Sequence, residues 1–250
     1  MKNAFVQGLA RSVGCIAETA AICMPTMLDS ARGTLTAAAS DARLVRWAER
    51  VLARAEVELH MHGAIPHEPG PFVVMSNHSS FLDIPVVYRL FGGHLRMVAK
   101  KELFQVPGFG RAMRDAGFVR MDRQNREDAI RSLDLARAQL RGGMSIWLAP
   151  EGTRNRDGVL GPLKKGGFML ALQTDRPILP VSLVGTHSVL PRGALALRVP
   201  QRRGGASHRV DVTVHPPIPV AGLPRGNETE LRASRDRLLA RVAAVLRGES

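Results

Sequence analysis

The sequence predicts an α/β protein: a mixed, mostly parallel sheet flanked by helices, with a helical N-terminal membrane-association segment. Three observations lead there. Short apolar or alternating runs recur beyond residue 70, and several are separated by stretches of helical periodicity; strands alternating with helices build a sheet covered on both faces. Residues 12–28 and 44–57 read instead as apolar or amphipathic helical stretches. Between the two parts, Pro66, Pro69, Gly70 and Pro71 punctuate the chain, dividing it into a segment of residues 1–62 and a main domain of residues 63–250. At 250 residues and 45% hydrophobic content the chain can bury a full core, yet it is short enough for one α/β domain with a small appendage.

Residues 12–28 are largely apolar, but Glu18 and Pro25 interrupt them, and their length falls short of the ~20 residues of a bilayer span. A spanning helix is not expected. Lys2 is followed by no compact leucine-rich core, so a secretory signal is not expected either. From Leu44 to Val57, Leu44, Trp47, Val51 and Leu52 share one helical face, interspersed with Arg46, Glu49, Arg50, Arg54 and Glu56. Such a helix either turns its arginines to lipid headgroups or packs on its own domain. Cys15 and Cys23 lack metal-ligand spacing and read as small hydrophobes in a reducing compartment; no metal is expected.

The strand candidates are Phe72–Met75, Leu95–Ala99, Phe118–Met121, Met144–Ala149, Ile178–Val184, Leu195–Val199 and Val210–His215. Asn125 with Asp128 opens a helix that Ile130, Leu133 and Leu140 carry to Gly142 and Gly143. Asn227 with Glu230 opens the last one, which Leu231, Leu238, Val242 and Val245 carry to Gly248.

A formal charge of +13, from 35 Lys+Arg against 22 Asp+Glu, calls for something anionic: nucleic acid, an acidic membrane leaflet or a phosphorylated substrate. Aromatic residues are only 4% and do not interleave the basic stretches. A stacking platform for single strands is thereby disfavoured, and no nucleic-acid partner is expected.

Two clusters carry chemistry. His78 and Asp83 lie five positions apart after an apolar run, about 140° around a regular helix, so they share no face if both sit mid-helix. They meet if His78 occupies a strand-to-helix turn and Asp83 the first turns of a helix starting near Ser79. The carboxylate then fixes one ring nitrogen and leaves the other as an acceptor, which makes a neutral general base toward a hydroxyl. A catalytic triad fits poorly: no Gly-x-Ser-x-Gly elbow exists, and Ser79 adjoins His78. The second cluster, Pro150-Glu151-Gly152-Thr153-Arg154, brings a carboxylate, a glycine turn and a cation to the end of another strand candidate. In open α/β sheets, strand ends are where sites gather.

These residues resemble the glycerolipid acyltransferases, specifically the 1-acylglycerol-3-phosphate acyltransferase family. Its His-x-x-x-x-Asp motif matches His78 and Asp83; its second motif matches Lys100, Leu103, Pro107, Gly110, Gly117 and Arg123; its Pro-Glu-Gly-Thr-Arg motif matches residues 150–154; and its fourth matches Ile178-Leu179-Pro180-Val181. The resemblance runs from about Phe72 to Leu190. It implies transfer of a fatty acyl group from acyl-coenzyme A or acyl-carrier protein to the free hydroxyl of lysophosphatidic acid. His78 would take the hydroxyl proton while Asp83 orients the ring, with no acyl-enzyme and no bound cofactor. Lys100, Arg123 and Arg154 are the matching cations for the acceptor phosphate. Glu151 would hold an arginine or bond an acceptor hydroxyl, Gly152 would allow close backbone approach, and Thr153 completes that binding turn. Lys164 and Lys165 offer further headgroup contacts or an exposed turn.

The expected partners are therefore an anionic lipid surface, a lysophospholipid and an acyl thioester, with the protein held peripherally on the cytoplasmic face of the inner membrane. Two rivals stand beside this reading: acylation of another lyso-lipid, such as lyso-ornithine lipid or a glycerophosphodiester, and a non-catalytic basic membrane-binding module.

Overall fold

A computed structural model describes residues 2–66, 70–121, 126–200 and 207–249, with the backbone alone for residues 2 and 126–131. Pro69, Arg123 and Asn125 lie outside the described residues, as do the side chains of Asp128 and Ile130. Among the described residues the strands are β1 (Val57–His62), β2 (Val73–Ser76), β3 (Leu95–Lys100), β4 (Val119–Met121), β5 (Ser145–Leu148), β6 (Ile178–Val184) and β7 (His208–Val214). The helices are α1 (Lys2–Arg32), α2 (Ala37–Arg54), α3 (Asp83–Phe91), α4 (Phe109–Asp115), α5 (Arg126–Arg141), α6 (Gly166–Thr174), α7 (Thr186–Val189) and α8 (Glu228–Arg247).

The strands form one sheet in the order β1-β7-β6-β2-β5-β3-β4. Every pairing is parallel except β6 with β7, which makes the sheet mixed and mostly parallel. Central β2 is buried along its whole length, as a strand covered on both faces must be. Its side chains alternate between two cores. Val74 packs with Val86, Tyr88 and Trp147 on the side of α2 and α3; Val73 and Met75 pack with Leu140, Phe168 and Leu238 on the side of α5, α6 and α8. The opening of α8 is as expected, with Asn227 Oδ1 accepting from the Glu230 N–H at 2.9 Å.

The structure departs from the sequence expectations in two places. Residues 57–62, counted there with the N-terminal helical segment, form the edge strand β1, paired with β7 from Val57↔His208 to His62↔Thr213. The alternation in Val-Glu-Leu-His-Met-His is a strand signal that the preceding helical run obscured. Leu195–Val199 is not a strand. Its backbone bonds go elsewhere: Leu197 N donates to Ser12 Oγ at 2.9 Å and Arg198 N to the Val189 carbonyl, so the segment straps across α1 with Leu197 buried. Gly8 permits the crossing, since a Cβ there would sit 2.0 Å from the Leu197 carbonyl oxygen. The helix α1 runs through Pro25, which interrupts the apolar run but not the helix.

The helix pair resolves the alternatives left by the amphipathic stretch. Ala48, Val51 and Leu52 of α2 are buried in the core, so its apolar face packs on its own domain. In α1, by contrast, Phe5, Val6, Leu9, Val13, Ile16, Met24 and Leu28 are exposed. Glu18 is 5% exposed and ties the two helices through Arg50 Nε at 2.6 Å and Arg54 Nη2 at 3.0 Å. Among the described residues no helix is long and apolar enough to cross a membrane.

Candidate active site

The parallel strands β2, β3, β5 and β6 bring the segments that follow them to one edge of the sheet. As β2 ends, Asn77 takes over from the peptide ladder. Its Oδ1 accepts from Leu183 N at 2.8 Å, and its Nδ2 donates to the Leu183 carbonyl at 2.7 Å. The side-chain amide thus adds a rung beyond Ser76↔Val181, and the main chain leaves the sheet at His78 with its position fixed.

Asp83, the first residue of α3, is wholly buried. Its Oδ2 accepts from Ser79 N at 2.7 Å and Ser80 N at 2.9 Å, and faces His78 Nδ1 at 2.8 Å. Its Oδ1 accepts from the Thr186 hydroxyl at 2.5 Å. An ionised carboxylate only accepts, so His78 Nδ1 carries the hydrogen and Nε2 keeps its lone pair. The ring stands edge-on to Trp147, with centroids 6.1 Å apart, and Trp147 is itself held by donating to Ser76 Oγ. The His78 side chain remains 17% exposed, so the ring is not sealed from solvent.

Glu151 holds no arginine among the described residues; its carboxylate binds the backbone of the site. Its Oε1 accepts from His78 N at 2.9 Å and its Oε2 from Gly161 N at 2.9 Å, with Asn155 Nδ2 alongside. Asn155 N in turn donates to the His78 carbonyl at 2.8 Å. The carboxylate stitches the second cluster to the backbone of the first, and its oxygens meet peptide and amide donors rather than a guanidinium. Gly152 adopts φ +75° with Lys164 Cγ 3.3 Å from where a Cβ would project. A side chain at 152 would be strained twice, by its backbone angle and by its neighbour.

Arg154 lies with its guanidinium 3.7 Å above the ring of Phe81, in the loop between His78 and Asp83. Partial burial, then the neighbouring Arg192, pull its pKa below the usual guanidinium value, while Asp83 opposes that shift. Arg192 Nη1 donates to the Arg154 carbonyl at 2.6 Å. Thr153, Lys164 and Lys165 are exposed. Lys100 is exposed where β3 ends, and it makes no hydrogen bond or ion pair among the described residues. The structure therefore joins His78, Asp83, Glu151 and Arg154, shows no contact of the Lys100 side chain with them, and says nothing of Arg123.

Four contributors escaped the sequence reading of roles: Asn77, Asn155, Thr186 and Arg192. For Thr186 a signal existed, since a polar residue just past an apolar strand in such a sheet lies at the edge where sites form. Asn77 heads the Asn-His-x-x-x-x-Asp run but carried no assigned role, and nothing in the spacing announced Asn155 or Arg192. Ser79 Oγ lies 3.3 Å from Thr186 Oγ1; burial raises the pKa of both Cys15 and Cys23. Residues of α1, α2, α3 and α4 line a partly open apolar cavity of about 160 Å³, Ile22, Leu44, Trp47, Ile84 and Met113 among them.

A histidine held by a buried aspartate at the strand ends of an α/β sheet is an arrangement able to take a proton from a hydroxyl or amine. A model of the acyltransferase family matches residues 56–184, just over half of the chain, and the protein belongs to that family. It is 36% identical over 155 residues to the chloroplastic 1-acyl-sn-glycerol-3-phosphate acyltransferase BAT2 of Brassica napus, covering 62% of this chain and 42% of that one. It is 32% identical over 193 residues to 1-acyl-sn-glycerol-3-phosphate acyltransferase alpha of Ovis aries, covering 76% and 63% respectively. The match thus spans less than two thirds of either relative. The fold is that of the 1-acyl-sn-glycerophosphate (LPA) acyltransferase PlsC from Thermotoga maritima, with a TM-score of 0.71 over 96% of both chains at 24% identity.

Proposed function

We propose that the protein transfers a fatty acyl group from acyl-coenzyme A or acyl-carrier protein to the free hydroxyl of lysophosphatidic acid, giving phosphatidic acid. The observation that carries this is the His78–Asp83 pair, with Nδ1 bonded at 2.8 Å and Nε2 left as acceptor. His78 Nε2 takes the hydroxyl proton as the oxygen attacks the thioester carbonyl. The carbon–oxygen bond forms, the carbon–sulfur bond breaks, and the departing thiolate takes the proton from the imidazolium. Asp83 stabilises that cation, no acyl-enzyme is needed and no bound cofactor enters the reaction. The relatives named above carry the acceptor in their names, and the apolar cavity beside Ile84 suits an acyl chain. Arg154, whose guanidinium lies over Phe81 in the dyad loop, receives the acceptor phosphate, with Arg123 and Lys100 as its partners by motif.

Attachment is peripheral, on the cytoplasmic face of the inner membrane. The exposed apolar side chains of α1 enter the headgroup boundary and the +13 charge draws the chain to anionic lipid. Anionic vesicles are expected to bind the protein more tightly than neutral ones, less so as salt rises; release by detergent alone, never by salt or carbonate, overturns peripheral attachment.

Thiol release from acyl-coenzyme A or acyl-carrier protein, followed with a panel of acceptors, tests the reaction. Turnover with lysophosphatidic acid well above that with a monoacylglycerol lacking phosphate is expected. Preference for lyso-ornithine lipid or a glycerophosphodiester would reassign the acceptor, and no thiol release with any of them would overturn acyl transfer.

A further inference from the structure

We infer that Thr186 is a positioning residue for the dyad: its hydroxyl, donated to Asp83 Oδ1, holds the carboxylate plane so that Oδ2 stays on His78 Nδ1. The inference rests on the general-base reading above and adds a residue outside the matched motifs.

Asp83 and Thr186 are both fully buried. Of the two carboxylate oxygens, Oδ2 receives Ser79 N, Ser80 N and His78 Nδ1, whereas the Thr186 hydroxyl at 2.5 Å is the single donor to Oδ1 among the described residues. Without it a buried oxygen has no partner, and rotation about the Cβ–Cγ bond lets both oxygens compete for the same backbone donors. The imidazole would then lose the fixed acceptor that selects its tautomer.

Thr186 is held for this duty from several directions. It opens α7 directly after β6, which the Asn77 amide clamps to β2 at Leu183. Gly185, at φ +110°, lets the chain turn where a Cβ would stand 2.6 Å from the Arg209 carbonyl oxygen. Ser80 Oγ donates to the Leu190 carbonyl at the far end of α7, so the dyad loop and α7 are tied at both ends. The proton count is equally definite. Thr186 has one hydroxyl hydrogen and gives it to the carboxylate, so at the 3.3 Å contact Ser79 is the donor. The Ser79 hydrogen thus points to Thr186 and not to His78.

The test uses the purified full chain with lysophosphatidic acid and acyl-coenzyme A. Thr186→Val, which keeps the shape and deletes the donor, is expected to lower kcat about 10- to 100-fold with both KM values nearly unchanged. Thr186→Ser is expected to restore most of the loss, and Thr186→Cys, a weak donor, to fall between. Added to Asp83→Asn, the valine substitution is expected to slow turnover no further, because the two act as one unit. A wild-type kcat per folded molecule in Thr186→Val, or losses that multiply in the double variant, overturns the inference. Nitrogen-15 NMR of the His78 ring, assigned by the signal missing in His78→Ala, gives a readout that does not need turnover. The wild type and Thr186→Ser are expected to show the Nδ1–H form and Thr186→Val a mixture of tautomers. If the wild type turns over no acyl thioester, the acyl-transfer reading fails by itself; an unchanged Nδ1–H signal in Thr186→Val, or in Thr186→Cys should the valine variant not fold, then overturns the role of Thr186.

Discussion

Asp83, at the strand ends, and Glu18, in α1, are both carboxylates withdrawn from water, at 0% and 5% exposure, yet their partners differ in kind. Glu18 meets two guanidinium groups, Arg50 and Arg54, each more than half exposed. Asp83 meets peptide N–H groups, a hydroxyl and a histidine, with no lysine or arginine in ion-pair contact among the described residues. Cations cancel a carboxylate's charge; dipoles stabilise it and leave it in place. The carboxylate in the helix pair is therefore a fastener, and the one beside His78, held by dipoles alone, suits the role proposed for it above.

The largest effect expected from this contrast is on turnover. His78→Ala and Asp83→Asn should each lower kcat/KM by about 10²- to 10⁴-fold while the protein stays folded, whereas Glu18→Gln should leave turnover per folded molecule near that of the wild type. Thiol-release kinetics on the three variants checks this, and near-normal turnover of Asp83→Asn would erase the distinction.

Next in size is the cation above Phe81. Arg154→Ala is expected to raise the KM for lysophosphatidic acid by about 10- to 150-fold, the worth of a charge-assisted bond, with far less change in the donor KM. Arg154→Lys should rescue partly, since an ammonium lacks the planar fork. Equal discrimination between lysophosphatidic acid and a phosphate-free acceptor in wild type and Arg154→Ala would remove this residue from the phosphate site.

The fastener should show in stability instead. Glu18→Gln releases Arg50 and Arg54 to water, and because both are already half hydrated the loss should be only about 1 kcal/mol, read as a shift in urea midpoint. A loss of several kcal/mol would mean that these arginines are far less hydrated than their exposure indicates.

The smallest effect concerns a half-buried base with no ion-pair partner among the described residues. His215 Nε2 lies 2.8 Å from Ser182 Oγ, and burial lowers its pKa below 6.5. As pH falls through about 6.5 the unfolded chain takes up the proton first, so the neutral ring's contribution is complete above that pH and shrinks below it. Urea midpoints at pH 7.5 and 5.5 should fall more for the wild type than for His215→Gln; parallel falls would contradict the assignment.

How much of this could be seen in advance depends on how local the cause is. The central strands were legible because burial on both faces leaves continuous apolar runs, as in Ile178–Val184. The His78–Asp83 meeting was legible because five residues and one turn suffice to make it. Edge strand β1 was not, since its register is set by β7, far along the chain, and neither was the loss of Leu195–Val199 to a strap on α1. Glu151 illustrates the same limit within the site. Its place near His78 followed from strand ends, but its partners, the backbone groups of His78 and Gly161, are fixed by loop geometry that no spacing rule encodes. Thr186 reaches Asp83 across 103 positions, a contact only the completed sheet creates.

The pairing of β1 with β7 bears on the order in which the molecule assembles. His62 and Asp211, joined across that edge, are 149 residues apart in sequence, and closing so long a loop is slow compared with forming helices. During synthesis β1 waits for β7 while α1 and its exposed apolar side chains have already emerged. The exposed apolar side chains of α1 are thus presented before the body behind them can close, and the β1–β7 rungs form on a chain whose helices already exist.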